Sequence, residues 1–135
     1  MCYSVAMKQK SEIVIPEGMK PQPEDHEIDI AWILAKHYEC IIEFLRPSAG
    51  YKMKTPDIVM DGIMWEIKSP TGRSQKFTIQ DQFKGLKQSR NLIIDGRRTK
   101  LDDILIQRQI ELEMSRHTRV GRVIFITKQS IIVEC

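Results

Sequence analysis

The stretch from Pro56 to Ser69 sets two β-rich runs, Pro56–Met60 and Ile63–Ser69, on either side of Asp61-Gly62. Asp-Gly between hydrophobic runs is the strongest short-range hairpin signal, because a type I′ turn needs positive φ at both central residues. Fixing the turn fixes the expected register: Met60 opposite Ile63, Ile58 opposite Trp65, and Asp57 opposite Glu66. Opposed residues share a face, with Cβ atoms about 4.5–5.5 Å apart, and Lys68 lies on the face of Glu66. The other face carries Ile58, Met60, Ile63, Trp65 and Ile67 and is uniformly apolar. The hairpin is therefore expected to bury one side and gather Asp57, Glu66 and Lys68 on the other.

Two carboxylates placed opposite each other repel and weaken a sheet unless a cation sits between them. A hard divalent ion such as Mg²⁺ takes one or two carboxylates together with water and phosphate oxygens, which matches Asp57 and Glu66. Lys68 beside them can polarise an attacking water or neutralise charge developing on a phosphate. The plainer alternative is a surface hairpin in which Glu66 and Lys68 form a salt pair and Asp57 caps a turn after Pro56.

At 135 residues the chain suits one compact domain, and 41% hydrophobic with 29% charged residues is a soluble, globular balance. No apolar run nears the roughly 18 residues of a spanning helix. The first ten residues lack the pattern of a secretory signal, so a cytoplasmic protein without a membrane partner is expected. Cys2, Cys40 and Cys135 are odd in number and far apart, which argues against a disulfide framework. The net charge is only +3, but its distribution is uneven: acidic residues gather from Glu24 to Glu43, and eight Lys or Arg lie between Arg73 and Lys100. That basic stretch suits a phosphate-rich partner.

Residues 1–22 hold Pro16, Gly18 and Pro21 around one β-like run, Ser11–Ile15, and read as an N-terminal arm or an extra edge strand before a domain over 23–135. Ile30, Ala31, Leu34, Ala35 and Tyr38 recur at helical spacing, which predicts a helix over 24–37. Glu27 falls on the inward side of its first turn, an odd place for an unpartnered carboxylate. Period-two patterning predicts a strand over 39–45. A helix over 77–89 follows the hairpin, with Ile79, Phe83 and Leu86 as its buried stripe. A buried strand at 91–95, a helix over 101–117 and a strand pair at 122–127 and 130–134 close the chain. Trp32 and Trp65 read as core. The order α β β β α β α β β predicts an α/β fold built on a mixed sheet.

Pro56-Asp57, eight residues and Glu66-Ile67-Lys68 resemble the motif of the PD-(D/E)XK nuclease superfamily, whose core runs α β β β α β. More narrowly, His26-Glu27, Pro56-Asp57-Ile58, the run Glu66 to Gly72, and Gln88 followed by Asn91–Asp95 look like the C-terminal tRNase domains of contact-dependent growth inhibition toxins. The resemblance spans about residues 24–127. It implies a single-domain nuclease-like core with an added C-terminal helix and strand pair. It also implies that Asp57 and Glu66 hold the metal, Lys68 acts on the water, Glu27 assists and Gln88 lies near the scissile phosphate. Thr71 and Arg73, in the loop after the hairpin, can bind backbone phosphate.

The leading expectation is a metal-dependent endonuclease in which Asp57, Glu66 and the backbone carbonyl of Ile67 hold Mg²⁺, with RNA such as tRNA favoured over DNA. A catalytically silent nucleic-acid-binding module is the competing reading, and a domain that a metal merely stabilises is a third. The expected partner is a nucleic-acid substrate; an inhibitory immunity protein follows only if the chain is a toxin, and a homodimer stays open. GxxxxGK[ST], GxGxxG, GxSxG and HExxH are absent from the sequence, which removes support for nucleotide-hydrolase, dinucleotide, serine-hydrolase and zinc-protease readings.

Overall fold

Alternating and continuous apolar runs in this chain give strands, and the three-four spacing gives helices, in the predicted order. A computed structural model describes residues 10–47, 56–84 and 91–135. These residues form a mixed α/β structure of seven strands and three helices, and fall into two compact units divided between Met64 and Trp65. Among them no helix is long and apolar enough to cross a membrane.

The first unit holds β1 (Glu12–Val14), α1 (Asp25–Tyr38), β2 (Ile41–Phe44) and β3 (Ile58–Met60). β1 pairs parallel to β2, so the β-like run of the N-terminal arm is a strand at one end of this ladder. β3 pairs antiparallel to β2 with Ile42 opposite Met60 and Phe44 opposite Ile58, all four buried. α1 buries Ile30, Ala31, Leu34 and Ala35 and lies against β1 and β2. It ends at Glu39, whose φ of 51° takes the chain out of the helix. Trp32 departs from expectation: it is 38% exposed, with the Lys36 ammonium 5.8 Å from its ring. The buried face of α1 is filled by small and branched residues one and two positions away, which leaves the indole turned toward solvent. After β3, Asp61 and Gly62 adopt φ of 52° and 76°, the backbone an Asp-Gly type I′ turn requires.

The second unit takes up β4 (Ile63–Lys68) from Trp65 onward and adds α2 (Phe77–Phe83), β5 (Leu92–Asp95), α3 (Asp103–Arg116), β6 (Val123–Ile126) and β7 (Ile132–Glu134). β4, β5 and β6 run parallel, and β7 returns antiparallel to β6. Every residue of β5 and β6 is buried, the pattern of parallel strands withdrawn from water on both faces. Ile79 and Phe83 of α2 join Leu92, Ile94, Ile106, Ile110, Val123 and Phe125 in one apolar cluster. Glu113 of α3 is only 2% exposed and is satisfied by Arg116 and His117, each at 3.2 Å.

The helix expected over 77–89 stops at Phe83. Lys84 is already extended, with φ −73° and ψ 140°. Gly85, next in sequence, is a poor helix former, which favours an end at this point. Leu86 and Gln88, placed on that helix from the sequence, lie outside the described residues.

Candidate active site

β4 displays the alternation read from the sequence: Trp65 and Ile67 are buried, while Met64, Glu66 and Lys68 point to the other face. Glu66 and Lys68, two residues apart, meet there with Lys68 Nζ 3.3 Å from Glu66 Oε1, their side chains 17% and 21% exposed. A pair this far withdrawn from water holds its geometry better than a surface pair, because the solvent competes less for both charges.

Immediately after Lys68, Ser69 Oγ lies 3.4 Å from Asp95 Oδ2, at the carboxyl end of β5. Asp95 is fully buried. Its Oδ1 accepts from the backbone N–H of Arg97 at 3.0 Å and from Arg97 Nε at 2.8 Å, and its Oδ2 from Arg97 Nη2 at 3.1 Å. The two-pronged fork supplies the compensation a buried carboxylate needs. A few residues on, Thr99 Oγ1 donates to the carbonyl of Gly72 at 2.6 Å and accepts from the N–H of Leu101 at 3.2 Å. Gly72 is required by space: a Cβ there would stand 2.6 Å from Thr78 Oγ1. The loops leaving β4 and β5 are thus tied together at the carboxyl ends of two parallel strands, where open α/β sheets place their ligands.

Thr71 and Arg73 sit in the first of these loops and line a cleft of about 470 Å³ together with Ser69, Phe77, Asp81 and Gln82. The structure therefore brings Glu66 to Lys68, and Thr71 to Arg73, as separate features of the second unit. Glu27 and Asp57 belong to the first unit. Glu27 Oε1 accepts the backbone N–H of Glu24 at 2.8 Å, so the carboxylate reaches back to the helix start as in a capping box. Asp57 is half-buried, and its carbonyl accepts from the N–H of Leu45 at 2.9 Å. Gln88 falls outside the described residues. Asp95 caps the Gly96 loop through its bond from the Arg97 N–H; sequence reasoning did not find its tie to Ser69 or the hold of Thr99 on Gly72.

Among the described residues no three His, Cys, Asp or Glu side chains come together as a metal cage. An ion bound here would take fewer carboxylates and fill its remaining positions with water and substrate oxygens. That is how Mg²⁺ is ordinarily held, and hard carboxylate oxygens are the donors it prefers.

A mixed α/β chain with a charged pair on β4 and tied loops at its strand ends describes a class of scaffold rather than an activity. The comparison with known families is narrower. The model of the contact-dependent growth inhibition CdiA C-terminal domain matches residues 54–132, more than half of the chain, and the chain belongs to that family. The matched span contains Asp57, Glu66, Lys68, Thr71, Arg73 and Asp95. A chain of the solved CdiA-CT/CdiI toxin and immunity complex from Burkholderia pseudomallei is similar in fold, with a TM-score of 0.60 over 92% of this chain and 98% of that one. At 14% identity the likeness concerns the fold alone. No curated protein sequence matches the chain.

Proposed function

We propose that this protein is a toxic effector nuclease that hydrolyses phosphodiester bonds in nucleic acid with the help of a divalent cation. The observation that carries the reading is the half-buried Glu66–Lys68 pair, 3.3 Å apart, on β4 within the family-matched span. On the sequence motif, and not on any placement of the two units, Asp57, Glu66 and the Ile67 carbonyl would hold Mg²⁺, which when bound supplies a water of lowered pKa and positive charge beside the phosphate. Lys68, as an ammonium, donates a hydrogen bond that orients that water and favours release of its proton to solvent, and its charge offsets that gathering on the phosphate. Glu27 assists as a further carboxylate. Thr71 and Arg73 hold the backbone phosphate, the hydroxyl by hydrogen bonding and the guanidinium by its planar donor fork. The PD-(D/E)XK spacing of Asp57, Glu66 and Lys68 supports this assignment, and the tRNase resemblance favours RNA such as tRNA over DNA.

A toxic nuclease endangers the cell that makes it, so a neutralising immunity protein is the partner the reading calls for. The description of the structural neighbour as a toxin and immunity complex supports it.

Incubating the purified chain with total tRNA, plasmid and single-stranded DNA, with Mg²⁺ and with a chelator, tests the reading. Cleavage is expected with Mg²⁺ and not with chelator. Asp57→Ala, Glu66→Ala and Lys68→Ala should each lose it by about 10² or more, the scale of a removed acid–base group, with the far-UV spectrum retained. Undiminished cleavage by Glu66→Ala would overturn the assignment. Salt-sensitive binding without metal-dependent cleavage would return the chain to the class of binding modules.

A further inference from the structure

The cleft between the loop after β4 and α2 has a lining that phosphate binding does not explain. Its volume of about 470 Å³ lies within the roughly 300–1,000 Å³ of small-ligand sites. Arg73 suits an anion. Phe77 and Asp81, one helical turn apart on α2 and both lining the cleft, do not. The Phe77 ring is 49% exposed, a large apolar surface beside a basic loop, with the Lys76 ammonium 5.3 Å from its centroid in a contact that a stacked base can displace. The Asp81 carboxylate would repel a phosphate placed against it. Gln82 also lines the cleft; one N–H of its amide donates to the carbonyl of Thr78 at 2.9 Å, which orients the amide and leaves Oε1 as an acceptor beside the second N–H. An aromatic surface, a carboxylate and an amide oxygen make a wall rich in acceptors.

We infer that this cleft is a nucleobase subsite that takes one unpaired guanine. Base faces stack on aromatic side chains, and unpaired bases are read by hydrogen bonds along their Watson–Crick edges. Guanine alone presents two adjacent donors there, N1–H and the N2 amino group, which a carboxylate can accept together. Adenine and cytosine each set one amino group beside a ring nitrogen that is itself an acceptor and repels the carboxylate. Uracil sets its single N3–H between two carbonyls. Among the described residues Asp81 pairs with Lys84, at 3.0 Å in an exposed pair that a ligand can replace. Arg73, on the same cleft, is placed for the phosphate attached to the bound nucleoside, and Lys68 precedes the loop directly in sequence. The inference rests on the nuclease reading for its consequence in cleavage: the scissile bond should lie next to an unpaired guanosine.

The test separates binding from catalysis. Guanosine, adenosine, cytidine and uridine 5′-monophosphates are titrated by calorimetry into the wild-type chain and into Asp81→Asn and Phe77→Ala, without divalent metal. Asp81 is 52% exposed on its side chain and Phe77 49% exposed, so both variants should keep their folds, which circular dichroism checks. The guanosine nucleotide should bind about tenfold or more tightly than the other three, the scale of one good bidentate contact. Asp81→Asn should abolish that preference, and Phe77→Ala should weaken all four by about tenfold. Equal binding of the four nucleotides by the wild-type chain, or no binding of any, overturns the guanine subsite. A preference that Asp81→Asn leaves intact overturns it too. In a parallel assay, single-stranded oligonucleotides with and without guanosine are incubated with Mg²⁺. Cleavage of both sets at equal rates sinks the subsite and leaves the nuclease reading standing; guanine-selective binding without cleavage of either set does the reverse.

Discussion

Removing the Asp95 carboxylate tests whether the tied loops are held by the physics assigned to them. Asp95 is fully buried and accepts three bonds from Arg97, two from the guanidinium and one from the backbone, plus a longer contact from Ser69. Asp95→Ala takes the buried carboxylate away from the Arg97 guanidinium, which is 19% exposed. Breaking a buried pair costs about 3–5 kcal/mol, and because Arg97 can swing partly into water the lower end, about 3 kcal/mol, applies here. For a chain of this length about 2–4 °C is lost per kcal/mol, so the melting temperature should fall by roughly 6–12 °C. Asp95→Asn keeps the shape and one acceptor and should cost about half as much.

Urea denaturation followed by tryptophan fluorescence measures both variants, with an unchanged m-value showing that stability and not compactness has changed. Arg97→Met gives the mirror experiment: it strands a carboxylate that cannot reach water, so its cost should equal or exceed that of Asp95→Ala. The double variant Asp95→Ala/Arg97→Met should then cost less than the sum of the singles by at least about 1 kcal/mol. A loss below about 1 kcal/mol in Asp95→Ala, or strict additivity in the cycle, would refute the claim that this pair clamps the loop.

Gly72→Ala should cost about 1–3 kcal/mol, because its methyl would stand 2.6 Å from Thr78 Oγ1, and adding Thr78→Ala should recover part of the loss in denaturation measurements. Burial, reinforced by the nearby Glu111 charge, pushes the Cys135 thiol up from 9.0 to about 11, so its alkylation at pH 8 in the folded chain should be about 100-fold slower than in denaturant by peptide-resolved mass spectrometry. Since the folded-state value is the raised one, the stability linked to this thiol is complete below pH 9 and is lost as pH rises toward 11, which urea midpoints across that window would register. Glu27→Gln keeps the reach-back bond, because glutamine also serves at that capping position, so stability should move by no more than about 0.5 kcal/mol. Cleavage by this variant should fall by about 10² if the carboxylate takes part in the chemistry; wild-type turnover would reduce Glu27 to a helix cap.

What the sequence made legible was whatever a local period or a turn could encode. Positive φ at Asp61 and Gly62 follows from the residue types alone, and the burial of Trp65 and Ile67 against the exposure of Met64 follows from strand alternation. The meeting of Glu66 and Lys68 is the same alternation at a separation of two. The stop of α2 at Phe83 was not foreseen, because the apolar stripe was given more weight than Gly85, a poor helix former next to the extended Lys84; the rest of the expected helix lies outside the described residues. Trp32 was misread because a large aromatic residue next to a buried stripe looks like part of it, whereas α1 fills that stripe with Ile30, Ala31, Leu34 and Ala35. The ties between Ser69 and Asp95 and between Thr99 and Gly72 join residues 26 and 27 positions apart. No local pattern carries such pairs; they arise because parallel pairing of β4 with β5 sets the two strand ends side by side.

Those ties bear on how the loops beyond a charged pair on β4 are kept in place. Loops at the carboxyl ends of parallel strands can vary without disturbing the core, which is why function gathers there, but a loop free to move would scatter the groups it carries. In the second unit the loop after β4 is fixed by the loop after β5, and the latter is fixed from behind by Lys128. Its ammonium donates to the carbonyl of Gly96 at 3.0 Å and to that of Leu101, so one cation joins both ends of the turn, with Asp103 3.7 Å away. The turn so held carries Arg98 and Lys100 with their side chains exposed. Phosphate contacts set the position of a nucleic acid on a protein without reading its sequence. On the proposed nuclease reading, a pinned backbone bearing exposed cations would meet that need, since the scaffold fixes where the positive charge starts and the long side chains adapt where it ends.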